Sequence, residues 1–412
     1  MRSTKSGRNL KQAVKAARER LTEDGRRVES YQNEEIKQAI ADTVAKLKTR
    51  RYQPQPVGRV CIEKGNGKMR PLGIPTVMDK VAQLAMTRIL SAIYEQDFPP
   101  LSYGYRKGKD AHECLKEINH MIMKQKVNYI LDADIEGFFD NLDHKWLMRC
   151  LSERISDTPF KKVVWKFLKA GVLKEGKFFL TTEGSPQGGI ISPVLANIYL
   201  HYALDLYFER KIKPTLKGYS KLVRYADDFL IGIQHQAEAV KIQEELVKRL
   251  QKFGLTLSEE KTAIKEFGRF ASENRQRRER GKPETFNFLG FTHYCSKTRD
   301  GRFQVRIKTQ GKRLNKAIME MNTYLKRVRN MLKPKEIWQI VAAKLTGHYN
   351  YYGVSGNFEL MQTYYLRTRN QLFRWLNKRS EKTSFSWDKF QRYLKIYPLP
   401  EPKLTYAIYN TW

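Results

Sequence analysis

Two adjacent carboxylates in an otherwise apolar segment are the first residues of this chain that could do chemistry. Asp227 and Asp228 lie in LVRYADDFLIGI, residues 222–233, most of whose other positions favour a β-strand. Two neighbouring carboxylates repel, and burying either one without a partner is costly. One interpretation is a polar turn between strands Leu222–Ala226 and Phe229–Ile233, because Asp is a common turn residue. The other is a site where a cation lies beside the pair.

A third carboxylate stands earlier in the chain. In ILDADIEGFFDNLDH, Asp134 ends an apolar strand, and Phe139 follows five positions later. A compact sheet could bring Asp134 together with Asp227 and Asp228, and clustered carboxylates are hard oxygen ligands suited to Mg²⁺. Two Mg²⁺ ions about 4 Å apart would activate a 3′-hydroxyl and stabilise a leaving pyrophosphate in an in-line displacement.

A glycine-rich loop that opens a helix lies between the two acidic segments. It reads EGSPQGGIISPVLANIYL, and we predict a helix over 192–209 with Ser192 as its cap and Pro193 in its first turn. Glycine lets the backbone approach a nucleotide closely, and helix N-terminal amides favour anions. The order is therefore a strand with Asp, a glycine-rich loop with a helix, and an Asp-Asp hairpin.

The charge balance indicates a polyanionic partner. The 412 residues contain 77 Lys and Arg against 43 Asp and Glu, a formal net charge of +34. Such a body repels itself unless a polyanion supplies the counter-charge, so nucleic acid is the leading partner and an anionic membrane surface the weaker one. The four cysteines form no C-x-x-C pair, and no segment approaches the length of an apolar membrane span. We expect a soluble, reduced, cytoplasmic protein without a membrane association.

Two segments are candidates for contacts with a phosphate backbone. Residues 273–284, ENRQRRERGKPE, are polar and are predicted to form an exposed loop, either a solubilising insertion or a nucleic-acid contact through Arg277 and Arg278. Farther along, apolar residues recur at a spacing of three to four and predict an amphipathic helix. Its apolar positions are Leu314, Ile318, Met321, Leu325 and Val328, and its basic positions are Lys312, Arg313, Lys316, Lys326, Arg327 and Arg329.

Taken together, the motifs resemble those of group II intron-encoded reverse transcriptases, also called maturases. The segments DIEGFFD, SPQGGIISPVLANIYL, YADD, GLTLSEEKT and FLGF resemble the successive palm motifs of reverse transcriptases, in order. KMRPLGIPTVMDKVAQ and SYGYRKGKDAHECL resemble the finger motifs of the intron-encoded members, and GHYNYYG resembles their thumb. The resemblance covers roughly residues 36 to 400.

The resemblance implies roles for individual residues. Asp134, Asp227 and Asp228 would bind the two Mg²⁺ ions, with the main-chain carbonyl of Ile135 as a further ligand. Phe139 would lie beneath the sugar and exclude a ribose 2′-hydroxyl, with Phe138 as the alternative one residue away. The remaining nucleotide-binding candidates are Lys68, Arg70, Arg106, Gln187 and Lys261, the last of which could protonate the leaving pyrophosphate.

The implied fold is α+β and of the right-hand polymerase class, with fingers, a palm of antiparallel sheet and a helical thumb. The expected division is an N-terminal helical extension over 1–50, fingers over 51–130, palm over 131–300, thumb or maturase domain over 301–375, and a tail over 376–412. The implied activity is RNA-directed DNA synthesis with an RNA template, a DNA primer and dNTPs. The implied partner is group II intron RNA, which the protein would bind to assist splicing and retrotransposition.

Two alternatives and two departures accompany this hypothesis. The protein could be an RNA-binding splicing factor with a vestigial polymerase site, or a stand-alone reverse transcriptase serving phage defence or repair. Residues 1–50 lack the glycine-rich segment with an Asp-Gly that usually begins members of the family, so properties attributed to that segment are not carried over. The chain ends at YAIYNTW without a Cys/His-rich endonuclease module, and we therefore expect no cleavage of target DNA by this polypeptide.

Overall fold

The computed structural model describes residues 33–63, 69–174, 177–179, 184, 188–379 and 386–409. The chain forms two compact units, one made of the residues up to Asp110 with Leu131–Ile264, and the other of Ala111–Ile130 with the residues from Lys265 onward. The finer division into extension, fingers, palm, thumb and tail remains a prediction.

The first unit contains two four-stranded sheets and the helices packed on them. In chain order its elements are α1 (Asn33–Lys48), β1 (Val57–Glu63), β2 (Met69–Ile74), α2 (Val77–Tyr94), β3 (Tyr129–Ala133), α4 (His144–Ser152), α5 (Thr158–Leu168), β4 (Val172–Lys174), β5 (Lys177–Phe179), α6 (Ser192–Leu200), β6 (Ser220–Tyr225), β7 (Asp228–Ile233), α7 (Gln236–Lys252) and β8 (Ala263–Glu266). The first two residues of β3 and the last two of β8 are counted with the second unit. One sheet has the strand order β2-β1-β4-β5, and the other has the order β6-β7-β3-β8.

The sheet with the order β6-β7-β3-β8 positions the acidic residues. Strands β6 and β7 pair antiparallel through a two-residue connection, with Tyr225 opposite Asp228. Every residue of β7 after its first is buried, because hydrophobic side chains such as Phe229 and Ile231 are fully enclosed. The Asp-Asp segment is therefore tied to a strand that cannot shift register without exposing its apolar side chains.

Helix α6 departs from the prediction in two ways. It begins at Ser192 with Ile191 in the cap position and no side-chain cap hydrogen bond, so the prediction of Ser192 as the cap is wrong, whereas Pro193 does lie in the first turn. Beyond Leu200 the chain continues as two π-helical turns, His201–Asp205 and Phe208–Ile212. A π turn accommodates an extra residue, a difference in pitch that hydrophobic spacing does not predict.

The second unit combines a three-stranded sheet with a helical core. Its elements are α3 (Ala111–Lys124), α8 (Ala271–Arg277), β9 (Phe286–Phe288), β10 (Phe291–Lys297), β11 (Phe303–Thr309), α9 (Gly311–Val328), α10 (Pro334–Tyr352), α11 (Phe358–Asn377) and α12 (Trp387–Ile396). The amphipathic helix predicted from residue 314 onward is α9, and its apolar face is buried at Leu314, Met321, Leu325 and Val328. Within the described part of the chain, no helix has the length and apolarity to cross a membrane.

The predicted loop over 273–284 is partly helical. Residues 271–277 form α8, and only the part beyond it is irregular. Arg275 pairs with Glu284 at 3.5 Å and donates to the Gly281 carbonyl at 3.2 Å. Arg278 lies 3.7 Å from Glu266. These contacts fold the segment back on itself, although its sequence lacks apolar anchors.

Candidate active site

The tight turn between β6 and β7 carries the two adjacent aspartates. Ala226 and Asp227 form the turn, and Asp228 is the first residue of β7. Ala226 has a φ of +58°, a left-handed conformation that costs a residue with a Cβ about 1 to 2 kcal/mol. Surrounding contacts must therefore stabilise this turn, a feature expected at functional sites rather than at ordinary surface turns.

Asp134 lies directly after β3, which neighbours β7 in the sheet. The main chain on both sides of Ile135 is fixed, because Ser258 donates to the Asp134 carbonyl at 2.8 Å and Glu136 donates to the Thr256 carbonyl at 2.9 Å. Successive carbonyls of an extended chain point in opposite directions. The Ile135 carbonyl therefore points away from the 256–258 segment, and its role as a main-chain ligand remains a prediction.

The side chains of Asp134 and Asp228 meet in the folded protein. Desolvation by the surrounding protein, the like charges of Asp227 and Asp134, and a hydrogen bond with Asp134 together raise the pKa of Asp228 to about 7. Asp132 adds a smaller repulsion. The Asp228 residue is nevertheless exposed at the surface, so solvent screens part of the repulsion between these carboxylates. Two carboxylates held in contact form a local concentration of negative charge that a cation would stabilise.

The raised pKa of Asp228 predicts a pH-dependent cost to stability. The Asp228 carboxyl has a pKa of about 7 in the folded protein and an ordinary pKa of 3.8 when the chain is unfolded. As the pH rises from 3.8 to about 7, the unfolded state ionises more readily than the folded state, so the folded protein loses stability. Asp228→Asn removes this ionisation, so the variant should melt roughly 2 to 4 °C above the parent protein at pH 8. The difference should vanish near pH 4, in thermal melts recorded with a chelator to exclude divalent cations.

The control for this measurement is Asp300→Asn, because Asp300 is an exposed aspartate in the hairpin between β10 and β11 and pairs with neighbouring Arg302. Because its partner is a basic residue, Asp300→Asn should not show the gain in melting temperature at pH 8 that is expected of Asp228→Asn. Equal melting of Asp228→Asn and the parent protein at pH 8 would contradict the repulsion inferred at Asp228.

Lys261 supplies a positive charge at this site. Its ammonium lies 2.5 Å from the Asp134 carboxylate, although 65% of the side chain is exposed. The hydrogen bond with Asp134 raises the pKa of Lys261. A raised pKa keeps the ammonium charged and makes it a weaker acid, so while paired in this way Lys261 is better suited to binding a phosphate than to donating a proton.

The donor set fits a hard divalent cation in its chemistry. Asp134 and Asp228 are carboxylates in contact, and Asp227 precedes Asp228 in the same turn. Among the residues that the structure describes, no three His, Cys, Asp or Glu side chains are grouped closely enough to hold a metal ion by themselves. Asp134 and Asp228 are in contact and the charge of Asp227 also acts on Asp228, so the joint assignment of the three carboxylates to metal binding remains a prediction.

Two glycines fix the ends of the glycine-rich loop. Gly184 has a φ of +82°, and a Cβ there would lie 2.8 Å from the carbonyl oxygens of Phe139 and Asp140. Gly188 has a φ of +111°, and a Cβ there would lie 2.5 Å from the Gly73 carbonyl in β2. The loop is thus anchored against the Phe139 segment at one point and against β2 at another.

Three of the predicted nucleotide contacts fall wholly or partly outside the described residues. Lys68 and Gln187 are not among them. For Arg70 the structure gives the main chain alone, which lies in β2 opposite Ile62. These three assignments remain predictions.

The two neighbouring phenylalanines have different surroundings. Phe138 is almost fully buried and packs edge-on against Tyr199 of α6, with ring centroids 6.3 Å apart. Phe139 is also buried, lies 5.3 Å from the Phe138 ring, and has its carbonyl against Gly184. Because Phe138 is part of the core beneath α6, Phe139 remains the better candidate for contact with a sugar.

The predicted nucleotide contact of Arg106 is contradicted by its partners. The guanidinium makes a bidentate ion pair with Glu95, in which the closest N–O distance is 2.7 Å. It also donates to the carbonyls of Pro99 and Ser102. Only 6% of the side chain is exposed. With four of its donors used inside the protein, Arg106 is a structural residue that ties α2 to the segment after it.

Most of the predicted basic surface is exposed. Lys312, Arg313 and Lys316 are exposed on α9, although Lys316 lies 3.6 Å from Glu320. Arg313 also lies beside Gly290, the second residue of the tight turn in the FLGF segment. Arg277 is exposed as well, whereas the partner of Arg278 is Glu266.

Sequence reasoning missed the residues that hold the β6–β7 turn. Arg224 and Asp205 are both buried and form an ion pair, and Asn197 donates to the Gly104 carbonyl. The available signal was a basic residue inside an apolar strand, two positions before the turn, since a buried charge requires a partner. The identity of that partner was not readable from the sequence.

The sequence of this chain matches a known protein family. Residues 62–293 match the family model described as reverse transcriptase (RNA-dependent DNA polymerase). This match covers more than half of the chain, and the chain belongs to that family. Membership confirms the predicted α+β fold class, that of the right-hand polymerases.

Individual relatives agree with the predicted subgroup. The chain is 35% identical over 294 residues to the group II intron-encoded protein LtrA of Lactococcus lactis, covering 57% of this chain and 48% of the relative. It is 35% identical over 221 residues to the protein YkfC of Escherichia coli, covering 46% and 58%. It is 31% identical over 265 residues to a putative COX1/OXI3 intron 1 protein of Saccharomyces cerevisiae, covering 53% and 32%. The chain thus spans about half the length of the first of these relatives, and the predicted resemblance to group II intron-encoded proteins is confirmed.

Proposed function

We propose that this protein is an RNA-directed DNA polymerase. The observation that carries the proposal is the contact of Asp134, directly after β3, with Asp228, beside the conformationally strained Ala226–Asp227 turn, in a chain that belongs to the reverse transcriptase family. Holding two like charges together is unfavourable without a cation, which is the arrangement expected of a site for phosphoryl transfer.

Mg²⁺ is the cation that we propose, as two ions held by Asp134, Asp227 and Asp228 with the Ile135 carbonyl. When bound, the ions would supply activation of the primer 3′-hydroxyl and charge stabilisation at the phosphates. The protein's own side chains would bind and orient the nucleotide. Lys261 would bind a phosphate through its charge, and Phe139 would exclude a 2′-hydroxyl by its volume.

The proposed substrates are an RNA template, a DNA primer and dNTPs. The net charge of +34 supports a nucleic-acid partner, since polyanions bind basic surfaces with release of counterions. Group II intron RNA is the further partner that we propose, and the similarity to a group II intron-encoded protein supports it. A competition assay tests this role: group II intron RNA should displace a labelled RNA–DNA hybrid more effectively than an unrelated structured RNA of equal length.

Primer extension tests the polymerase proposal. The purified protein should extend a DNA primer on an RNA template with dNTPs and Mg²⁺, and a chelator should stop the reaction. A protein that binds the hybrid without extending it would contradict the proposal and favour the RNA-binding splicing factor with a vestigial site. Extension without preference for intron RNA would favour the stand-alone enzyme.

The basic face of α9 should contribute to the salt dependence of nucleic-acid binding. Each phosphate neutralised by a basic side chain adds about 0.9 to the log–log slope of affinity against salt for a duplex. Replacing Lys312, Arg313 and Lys316 with Gln should therefore make the slope shallower by up to about three units, and by nearer two if Lys316 stays paired with Glu320. The measurement is a salt titration of RNA–DNA hybrid binding by anisotropy.

A matched triple variant controls for the loss of net charge alone. Lys389, Arg392 and Lys395 are exposed on another helix of the same unit, α12. Replacing these three with Gln should change the slope less than the α9 variant does. Equal slopes for the parent protein and the α9 variant would show that α9 does not contact nucleic acid. Residues 273–284 would then be the next candidate for the contact surface.

A further inference from the structure

A buried arginine connects the acidic turn to the protein core. Arg224 lies in β6, two residues before Ala226, and only 1% of its side chain is exposed. Its Nε and Nη2 donate to the two carboxylate oxygens of Asp205 at 2.8 and 2.7 Å. Its Nη1 donates to the Ala226 carbonyl at 2.9 Å. One guanidinium therefore bonds both the π-helical turn His201–Asp205 and the turn that carries the aspartates.

We infer that Arg224 is a positioning residue for catalysis, which fixes the Ala226–Asp227 turn so that Asp228 stays in contact with Asp134. This inference rests on the proposed polymerase function and extends it to residues outside the acidic set. Its physical basis is the turn itself, because an alanine at a φ of +58° has more favourable conformations available unless its carbonyl is held.

The π-helical turn after α6 places the partners of Arg224 on one face. Arg224 bonds Asp205 and also Asn197, whose side-chain oxygen accepts from Nη1 at 2.9 Å. Two turns of α-helix span about 7.2 residues, so residues eight apart fall out of line. The π turn over His201–Asp205 takes up the extra residue, since its hydrogen bonds reach one residue farther. Asn197 and Asp205 can then face the same guanidinium.

The other residue beside the Asp205 carboxylate, His201, does not carry a competing charge. His201 lies 3.9 Å from the Asp205 carboxylate and is itself buried. Burial lowers the pKa of His201, so its imidazole is neutral at physiological pH and does not compete for the carboxylate. The ion pair of Arg224 and Asp205 is thus the charge pairing in this part of the core.

A second set of contacts holds the turn from the other side. The main chain of Arg224 pairs with the segment before Gly104, since Arg224 donates to the Leu101 carbonyl at 3.0 Å and Tyr103 donates to the Arg224 carbonyl at 2.8 Å. Asn197 donates to the Gly104 carbonyl at 2.7 Å. A Cβ on Gly104 would lie 2.3 Å from the Ala226 nitrogen. The turn is therefore enclosed between Gly104 and the Arg224 guanidinium.

The arrangement is more than core packing because Arg224 has two kinds of partner. The pair with Asp205 satisfies the buried charge. The bond to the Ala226 carbonyl does not neutralise any charge and acts only on the turn. A lysine could retain the pairing with Asp205 but could not reproduce the guanidinium fork that also reaches Asn197 and Ala226.

Two variants separate positioning from folding. Arg224→Lys keeps the charge and removes the fork, and Arg224→Met combined with Asp205→Leu replaces the buried pair with apolar residues, an exchange that is often neutral for stability. The matched control is Arg249→Lys, because Arg249 donates to the carbonyls of Tyr202 and Ala203 in the same π turn without touching the acidic turn. Thermal melts establish that each variant is folded.

Primer-extension kinetics and amide hydrogen exchange are the readouts. Both Arg224 variants should lower kcat by about tenfold or more while the KM for dNTPs and the Kd for the hybrid change by less than about twofold, since a transition-state interaction is lost and binding is not. The amides of residues 226–228 should exchange at least about tenfold faster in these variants. Arg249→Lys should leave kcat and these exchange rates unchanged.

The outcomes distinguish this inference from the proposed function. A folded double variant with parental kcat and parental exchange rates would overturn the inference, as would an equal fall of kcat in Arg249→Lys. Absence of primer extension by the parent protein would instead overturn the polymerase proposal. In that case faster amide exchange at residues 226–228 in the Arg224 variants would still establish that Arg224 holds the turn. Unchanged exchange would overturn the role of Arg224 as well.

Discussion

Asp228→Ala and Asp227→Ala should each abolish cDNA synthesis while leaving affinity for an RNA–DNA hybrid within about twofold of the parent protein. A lost cation ligand removes stabilisation that acts in the transition state, and a loss of about 4 kcal/mol corresponds to roughly a thousandfold in rate. Binding should persist because the basic surfaces of the protein are unchanged. Single-turnover primer extension and anisotropy measure the two effects separately.

Asp300→Ala is the matched control, since Asp300 is also an exposed aspartate beside a hairpin turn but pairs with a basic residue, Arg302. It should retain parental activity. If Asp228→Ala lost hybrid binding and activity in equal measure, the aspartate pair would be a structural feature of the hairpin and not a catalytic one. Raising the concentration of divalent cation should not restore either aspartate variant, because the ligand itself is missing.

Phe139→Ala should relax the selection of deoxynucleotides over ribonucleotides. The proposed selection is steric, so removing the ring should raise the relative kcat/KM for ribonucleotides by roughly 100-fold, the scale on which an apolar pocket distinguishes one hydroxyl group. The measurement is single-nucleotide extension with matched ribo- and deoxynucleotides. Because Phe139 is buried, the variant should also unfold more easily, and assays should be made well below its melting temperature.

Phe138→Ala is the matched comparison. Phe138 packs against Tyr199 in the core, so its truncation should cost stability without changing the choice of sugar. The reverse result, with selection relaxed in Phe138→Ala and retained in Phe139→Ala, would show that the aromatic ring beneath the sugar is one residue earlier than predicted.

The local structure at the acidic segments was largely predictable. Apolar runs ending in Asp134 and flanking Asp227 and Asp228 predict strands, and the structure has β3, β6 and β7 there. The spacing from Leu314 to Val328 predicts one buried helical face, and α9 buries it. These predictions succeed because burial of a strand or helix face is encoded by residues two to four positions apart, which the sequence displays directly.

The partners of the buried charges could not be predicted from spacing. Arg106 resembles a phosphate ligand in sequence, yet it pairs with Glu95 and with carbonyls of its own segment. The helical start of the 273–284 segment likewise depends on contacts such as that of Arg275 with Glu284. A charged side chain of this length can reach several partners, and the packing around it determines which one it meets.

The sequence by itself determined the family, the order of the motifs, the acidic residues and the excess of positive charge. The tertiary structure alone decided that Asp134 and Asp228 touch, and that Arg224 reaches Asp205, Asn197 and the Ala226 carbonyl at once. The physical reason is that hydrophobic periodicity fixes which face of an element is buried, whereas contacts between distant residues depend on strand order and on a π-helical turn that periodicity does not reveal.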